Sequence, residues 1–285
     1  MIWPTPLMEN RHRLPFLQVP LRRMHRIIEP IAVALLVAVV WQITATLVGS
    51  AYFPPLSQVF ARLQAKWFSG PSYLLFMDPG FIRDIIPSIG RALVGFFIAG
   101  ILGVTLGLYL GLSRRLADFV DPLIHFARAL PAVTLLPLFL LLLGLGTTMK
   151  LSLITFGTVW PILLNTIYGV RAVDPQKVET ATAFGITGVR RVLRIMLPAA
   201  SPQIFAGLRV SLALSLILMV VSEMVAATGG LGFSIVEAQR RFAIRDMWAG
   251  IVLLGLVGYL LNIIFLAIEK RVLRWHYAAS RVEGT

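Results

Sequence analysis

Six stretches of this chain are apolar for long enough to cross a hydrocarbon layer, and that feature restricts the fold more than any other. A helix rises about 1.5 Å per residue, so a core about 30 Å thick takes about 20 apolar residues. The runs near 31–49, 88–111, 120–143, 151–170, 203–226 and 249–268 meet that length. Only 14% of the 285 residues are charged and 58% are hydrophobic, whereas a soluble domain is roughly 25% charged. In lipid the backbone must satisfy its own hydrogen bonds, so runs of this length predict an all-α membrane protein with six transmembrane helices. The first run exceeds the apolar core of a leader peptide and no small-residue cleavage site follows it, so it reads as a retained span. The chain then divides into a basic segment (1–30), a six-span domain (31–276) and a tail (277–285).

The formal charge of +13 raises nucleic acid as a partner, but the basic residues sit in short flanks between apolar runs. That distribution orients a membrane protein and argues against nucleic-acid binding. With the N-terminus inside, sixteen Lys and Arg fall in cytoplasmic segments, among them Arg114, Arg115, Arg171, Lys177, Arg190, Arg191, Arg194, Lys270, Arg271 and Arg274. Seven fall outside: Arg62, Lys66, Arg83, Lys150, Arg240, Arg241 and Arg245. The bias places both termini, and the loop 174–198, in the cytoplasm.

Chemistry on the chain itself is constrained by what is missing from the sequence. Without cysteine there is no disulfide or thiolate metal site, and His12, His25, His125 and His276 lie far apart. No catalytic set and no metal site is expected. No GxxxxGK[ST] occurs and no Lys follows a Gly, so any nucleotide must bind another polypeptide.

The loop 174–198 has a readable helical grammar. Asp174-Pro175 is a helix start, with a capping carboxylate before a Pro at the first helical position. Val178, Ala181, Thr182 and Gly185 share one face of small groups, which lets another protein approach closely. Gly185 can end the helix because it tolerates positive φ. Thr187 is expected to cap a second helix with Val189, Val192, Leu193, Met196 and Leu197 on one face and Arg190, Arg191 and Arg194 opposite. Pro198 is expected to stop it. Helix shape alone describes only a surface hairpin with a solvated Arg face.

Several residues inside the spans are unusual. Ala99, Gly103, Gly107 and Gly111 form a small-residue stripe, suited to packing within the chain or to a subunit interface. Pro131, Pro137 and Pro161 should kink the third and fourth spans. Asn165 is either packing glue or a pathway residue. Arg209 is near enough to the cytoplasmic end to snorkel, and Arg128 could do likewise or contact an inner gate. Arg91 and Glu223 lie deeper, about 31 Å from the cytoplasmic ends of their spans, at equal depth and with opposite sign. They can pair near the outer face, or Arg91 can draw an anion inward. The Pro54-Pro55 turn should feed a short interfacial helix, with Trp67 at headgroup level. After the fifth span comes a glycine-rich turn containing Gly229, Gly230 and Gly232.

The run Val178-Glu179-Thr180-Ala181-Thr182-Ala183-Phe184-Gly185, continued by Ile195-Met196-Leu197-Pro198, resembles the EAA loop of permease subunits of binding-protein-dependent ABC importers. That pattern is Glu-Ala-Ala, three residues, Gly, nine residues, Ile, one residue, Leu-Pro. Glu179, Ala181, Gly185, Ile195, Leu197 and Pro198 stand in register, and Thr180 replaces an alanine. Residues 50–276 as a whole are similar to the sulfonate/nitrate/taurine branch. The similarity includes Arg128-Ala129-Leu130-Pro131, Pro161-Ile162-Leu163-Leu164-Asn165-Thr166, Ser222-Glu223-Met224 and the glycine-rich turn.

The resemblance implies a type I ABC importer permease fold in the cell membrane, most simply a homodimer. Its partners would be two cytoplasmic ATPases carrying ATP-Mg and an extracytoplasmic binding protein; no cofactor would be held by this chain. Glu179, Thr180, Ala181, Phe184, Gly185, Ile195, Leu197 and Pro198 would couple to the ATPase. Arg91, Arg128, Asn165, Glu223, Gly229, Gly230 and Gly232 would line or gate the path of a small organic or inorganic anion. An ion-coupled secondary transporter is the rival reading, although neither an internal repeat nor acidic midplane residues are evident.

Overall fold

The computed structural model describes residues 18–74, 76–225 and 227–275, with side chains from residue 29 onward apart from Pro30. Expectations for the chain before 18 and for the tail 277–285 lie outside the described residues. Among those described, every regular element is helical. Residues up to 58 form one unit and residues from 59 a second.

In the first unit α1 (Gln18–Val48) begins within the basic segment and carries the first apolar run, Ile31–Val48. The Pro54-Pro55 turn is tied back onto it. Trp41 stacks on Phe53 at 5.6 Å between centroids and donates its indole N–H to the Pro54 carbonyl at 3.2 Å. Gln42 Oε1 accepts the Ser57 amide at 3.0 Å.

Beyond residue 58, α2 (Leu56–Trp67) turns Val59, Leu63 and Trp67, one helical face, against Ile85, Leu231, Ile235, Ala249 and Leu253. Trp67 is therefore a core anchor, not the interfacial aromatic expected from sequence: only 2% of it is exposed. The remaining helices are α3 (Ile86–Leu112), α4 (Arg114–Ala129), α5 (Leu136–Leu143), α6 (Thr147–Arg171), α7 (Pro175–Ala183), α8 (Gly188–Arg191), α9 (Leu197–Val225), α10 (Leu231–Arg240) and α11 (Ile244–Val272).

The small-residue stripe sets the packing of α3 on α6. A β-carbon added to Gly103 would stand 2.8 Å from Ile162 Cβ, one on Gly107 2.5 Å from Thr166 Cβ, and one on Gly111 2.7 Å from Val170 Cβ. Gly95 meets Ile154 in the same way, at 2.6 Å from its Cγ2. The residue numbers advance together, so α3 and α6 run parallel with backbones closer than any side chain would allow. In lipid, where apolar helices gain little from burial against one another, such contact is a main source of cohesion. The stripe thus serves packing within the chain.

Against α6, α9 runs antiparallel. Gly157 faces Leu218, and Gly169 faces Ala200 and Gln203, while Gly207 lies against Pro161 and Asn165. Antiparallel to α9 in turn is α11, with Arg209 paired to Glu269.

The third apolar run is not the single helix expected. It divides into α4 and α5, with an 82° bend between the two arms. Leu130 and Pro131 are both extended, because the residue before a proline avoids the helical region and Pro131 itself cannot continue the backbone ladder. The bent pair still counts as a crossing. Because α3 and α6 are parallel, residues 113–146 must carry the chain back along the full length of α3. With it the second unit contains four long apolar helices and one broken span. Pro161 lies inside α6, which continues on both sides of it.

Pro198 does not stop the helix it follows. The chain is helical without a break from Gly188 to Val225, 38 residues, through a π-turn at Val192–Met196. There the Leu197 amide reaches back five residues to the Val192 carbonyl, relaxing the ladder just ahead of the proline. The same device precedes α3, where the Ile86 amide bonds the Phe81 carbonyl and Pro87 follows.

Candidate functional site

Two clusters stand out, one at each end of α9. The first is the loop between α6 and α9. Asp174 caps α7 by accepting the Gln176 amide at 2.9 Å. At the other end of α7 the Ile186 amide bonds the Ala181 carbonyl at 2.8 Å and the Gly185 amide bonds Thr182 at 3.0 Å. These two bonds form a Schellman motif, with Gly185 at φ +70° in the position that requires it. Thr187 occupies the cap position of α8, but its side chain makes no capping bond.

Burial reverses the expected working face. Ala181 is buried, and Val178 packs on Val170, Val173, Met196 and Ala200, so this part of the small-residue face holds α7 to its own body. Exposed are Glu179, Thr180, Gly185 and above all Phe184, at 80%. Beside Phe184 lies a groove of about 460 Å³ whose lining includes Lys177, Thr180, Ile186 and Ile195. The π-turn also splits the predicted apolar face of the second helix. Met196 is buried, whereas Val189 and Leu193 are exposed. Leu197 and Pro198 are half-buried where α9 begins.

The second cluster surrounds Glu223, which is fully buried near the far end of α9. Arg91 on α3 forms an ion pair with Oε1. The Ser88 hydroxyl lies 2.8 and 2.9 Å from the two carboxylate oxygens and accepts the Leu231 amide at 3.0 Å. The Gly232 amide donates to Oε2 at 3.1 Å. Guanidinium, hydroxyl and backbone amide together replace the hydration that a buried carboxylate loses.

The glycine-rich turn is shaped around this carboxylate. Gly230 has φ +116°, and a β-carbon on it would stand 2.5 Å from Glu223 Cδ. One on Gly232 would meet the Val220 carbonyl oxygen at 2.5 Å and Glu223 Cβ at 2.9 Å. Gly229 is different: a β-carbon there would make only an ordinary 3.6 Å contact with Asp84. Two of the three glycines are sterically required.

Sequence reasoning treated Lys150 as an outer-loop charge. It lies in the first turn of α6, only 6% exposed and within electrostatic reach of both Arg91 and Glu223. Glu269 was also missed; it accepts an ion pair from Arg209, which joins α9 to α11 instead of snorkelling alone. Arg128 is exposed. It ends α4 on the exposed side, with Nε 3.2 Å from His125 Nδ1. Asn165 donates to the Pro161 carbonyl at 2.8 Å and accepts from Gln203 at 3.1 Å, so here it fastens α6 to α9.

A family model described as "Binding-protein-dependent transport system inner membrane component" matches residues 101–274. The chain is 30% identical over 244 residues to the taurine transport system permease protein TauC of Escherichia coli (strain K12), covering 85% of this chain and 87% of that one. It is 29% identical to the bicarbonate transport system permease protein CmpB of Synechococcus elongatus, covering 89% and 92%. Among solved structures, the inward-facing MetNI methionine ABC transporter shares the fold. Its TM-score is 0.61 at 20% identity, over 69% of this chain and 99% of that one.

Proposed function

The chain belongs to the binding-protein-dependent transport system inner membrane components, and from that membership we infer that it lines the path of a small oxyanion through an ATP-driven importer. It is the permease subunit of an ABC importer and an inner-membrane protein. The anion class is supported by the named cargoes of its relatives, taurine and bicarbonate, which share resonant anionic oxygens. ATP is bound and hydrolysed by a separate ATPase at the end that carries α7, the cytoplasmic end. A binding protein delivers cargo at the end that carries Glu223. A second copy of the chain completes the path.

The observation that carries this reading is the continuity of the helix Gly188–Val225 between the two clusters. A helix of 38 residues extends about 57 Å. Displacement of α7 by a closing ATPase dimer would be passed along it to Glu223 and the turn Gly229–Gly232. The π-turn at Val192–Met196 is the place where the rod can bend.

Co-expression with the cognate ATPase tests the proposal. Co-purification from detergent, with uptake abolished by ATP depletion and unaffected by an ionophore, supports an importer. Uptake that collapses with the ion gradient and has no ATPase requirement assigns the chain to ion-coupled transport.

A further inference from the structure

Charge around Glu223 does not balance. Two cations, Arg91 and Lys150, stand near one carboxylate, and only Arg91 bonds to it. Lys150 is more than nine-tenths buried and makes no hydrogen bond or ion pair among the described residues. Its position is not accidental to the helix packing. The ladder that sets Gly95 against Ile154 and Gly107 against Thr166 brings residue 91 level with residue 150 when continued towards the start of α3. Glu223 is the counter-charge in reach of that ammonium and is already bonded to Arg91, so the three groups together carry a net charge of +1.

The donors already present are those of an oxyanion receptor: a guanidinium, a hydroxyl and a backbone amide, all converging on two resonant oxygens. The glycine turn leaves room for such a group and for nothing larger on residue 230. A carboxylate on the protein's own chain fills this receptor, and sulfonate, nitrate and bicarbonate present the same acceptor geometry.

We propose that Ser88, Arg91, Lys150 and the Gly230–Gly232 turn form a receptor for one anionic group, that Glu223 occupies it as an internal surrogate, and that the cargo's anionic group displaces Glu223 during transport. The proposal rests on the importer reading and adds the site and the chemistry of entry. Displacement frees the carboxylate and leaves two cations to hold the incoming anion, so a monovalent cargo in place of Glu223 keeps the net charge of the site at +1.

The test uses the full chain in lipid nanodiscs, without its partners. Thermal unfolding is followed in sodium methanesulfonate, nitrate or bicarbonate, against sodium chloride at equal ionic strength. Glu223→Gln empties the receptor of its charge, and one of the three probe anions should then raise the midpoint by about 3 °C at about ten times its Kd. The rise should be at most marginal in the wild type. It should disappear in Glu223→Gln/Lys150→Met and persist in Glu223→Gln/Lys150→Arg. Should Glu223→Gln fail to insert, Glu223→Asp, which retains the charge on a shorter arm, should show a smaller rise with the same dependence on Lys150. Absence of any anion-selective rise, or a rise that survives Lys150→Met, overturns the proposal. Because the readout needs neither ATPase nor binding protein, its failure leaves the importer reading untouched, and failure of co-purification leaves the binding result standing.

Discussion

Gly230 closes over Glu223 at a distance that excludes every other residue: a β-carbon there would lie 2.5 Å from the carboxylate carbon. Gly230→Ala should therefore either lift the turn or push the carboxylate out of its cradle. Positive φ adds about 1–3 kcal/mol of strain for a non-glycine residue. The expected outcome is a lower unfolding midpoint and impaired uptake. Gly229→Ala, whose β-carbon meets only Asp84 at 3.6 Å, should leave both near wild type. Equal behaviour of the two variants in a melting series would contradict the steric account.

The Arg91–Glu223 pair predicts a charge-reversal cycle. Removing one partner of a buried pair costs about 3–5 kcal/mol, because the other charge is left without compensation. Arg91→Glu and Glu223→Arg should each impair uptake and folding yield, and the double swap should recover part of the folding yield but not the uptake, because it restores the ion pair while removing the guanidinium that holds the anion. Near-normal uptake in both single variants would deny the pair any functional role.

Opposite signs are expected for two glycines on the same helix. At Gly90 nothing stands within 4 Å of an added β-carbon, so Gly90→Ala should stabilise α3 through helix propensity by about 0.5–1 kcal/mol. At Gly107 the added carbon would meet Thr166 Cβ at 2.5 Å and force α3 away from α6, so Gly107→Ala should destabilise. Melting midpoints of the two purified variants, one above and one below wild type, check the parallel seam.

The spans were legible because lipid imposes length and apolarity, and the loop was legible because capping grammar is local. Equal depth and opposite sign were enough to bring Arg91 to Glu223. The α3–α6 partnership was not legible: the stripe from Ala99 to Gly111 shows a close approach without naming its partner. Lys150 was hidden for the same reason, since only the parallel register brings it level with Arg91. The π-turns left no composition signal, so Pro198 read as a helix stop and the face of Val189 and Leu193 was given the wrong phase. Trp67 suited an interface by type; the Val59, Leu63, Trp67 spacing of α2 was the signal for burial.

Orientation can be read chemically because the chain has no cysteine. A cysteine at Gln239, exposed near the end of α10, should react with an impermeant thiol reagent on spheroplasts. One at Thr187, exposed between α7 and α8, should react only after lysis. The reverse pattern would move α7 away from the ATPase side.

Stimulated ATP hydrolysis by the reconstituted complex tests the central claim, that α7 couples this permease to a separate ATPase. Wild-type permease with its ATPase in proteoliposomes should show hydrolysis raised by the cargo-loaded binding protein. Glu179→Lys reverses an exposed charge on α7, and Gly185→Val puts a β-branched residue at φ +70° in its closing turn. Both variants should insert normally and retain basal hydrolysis while losing most of the stimulation. Full wild-type stimulation in both would contradict the assignment of α7 as the coupling element.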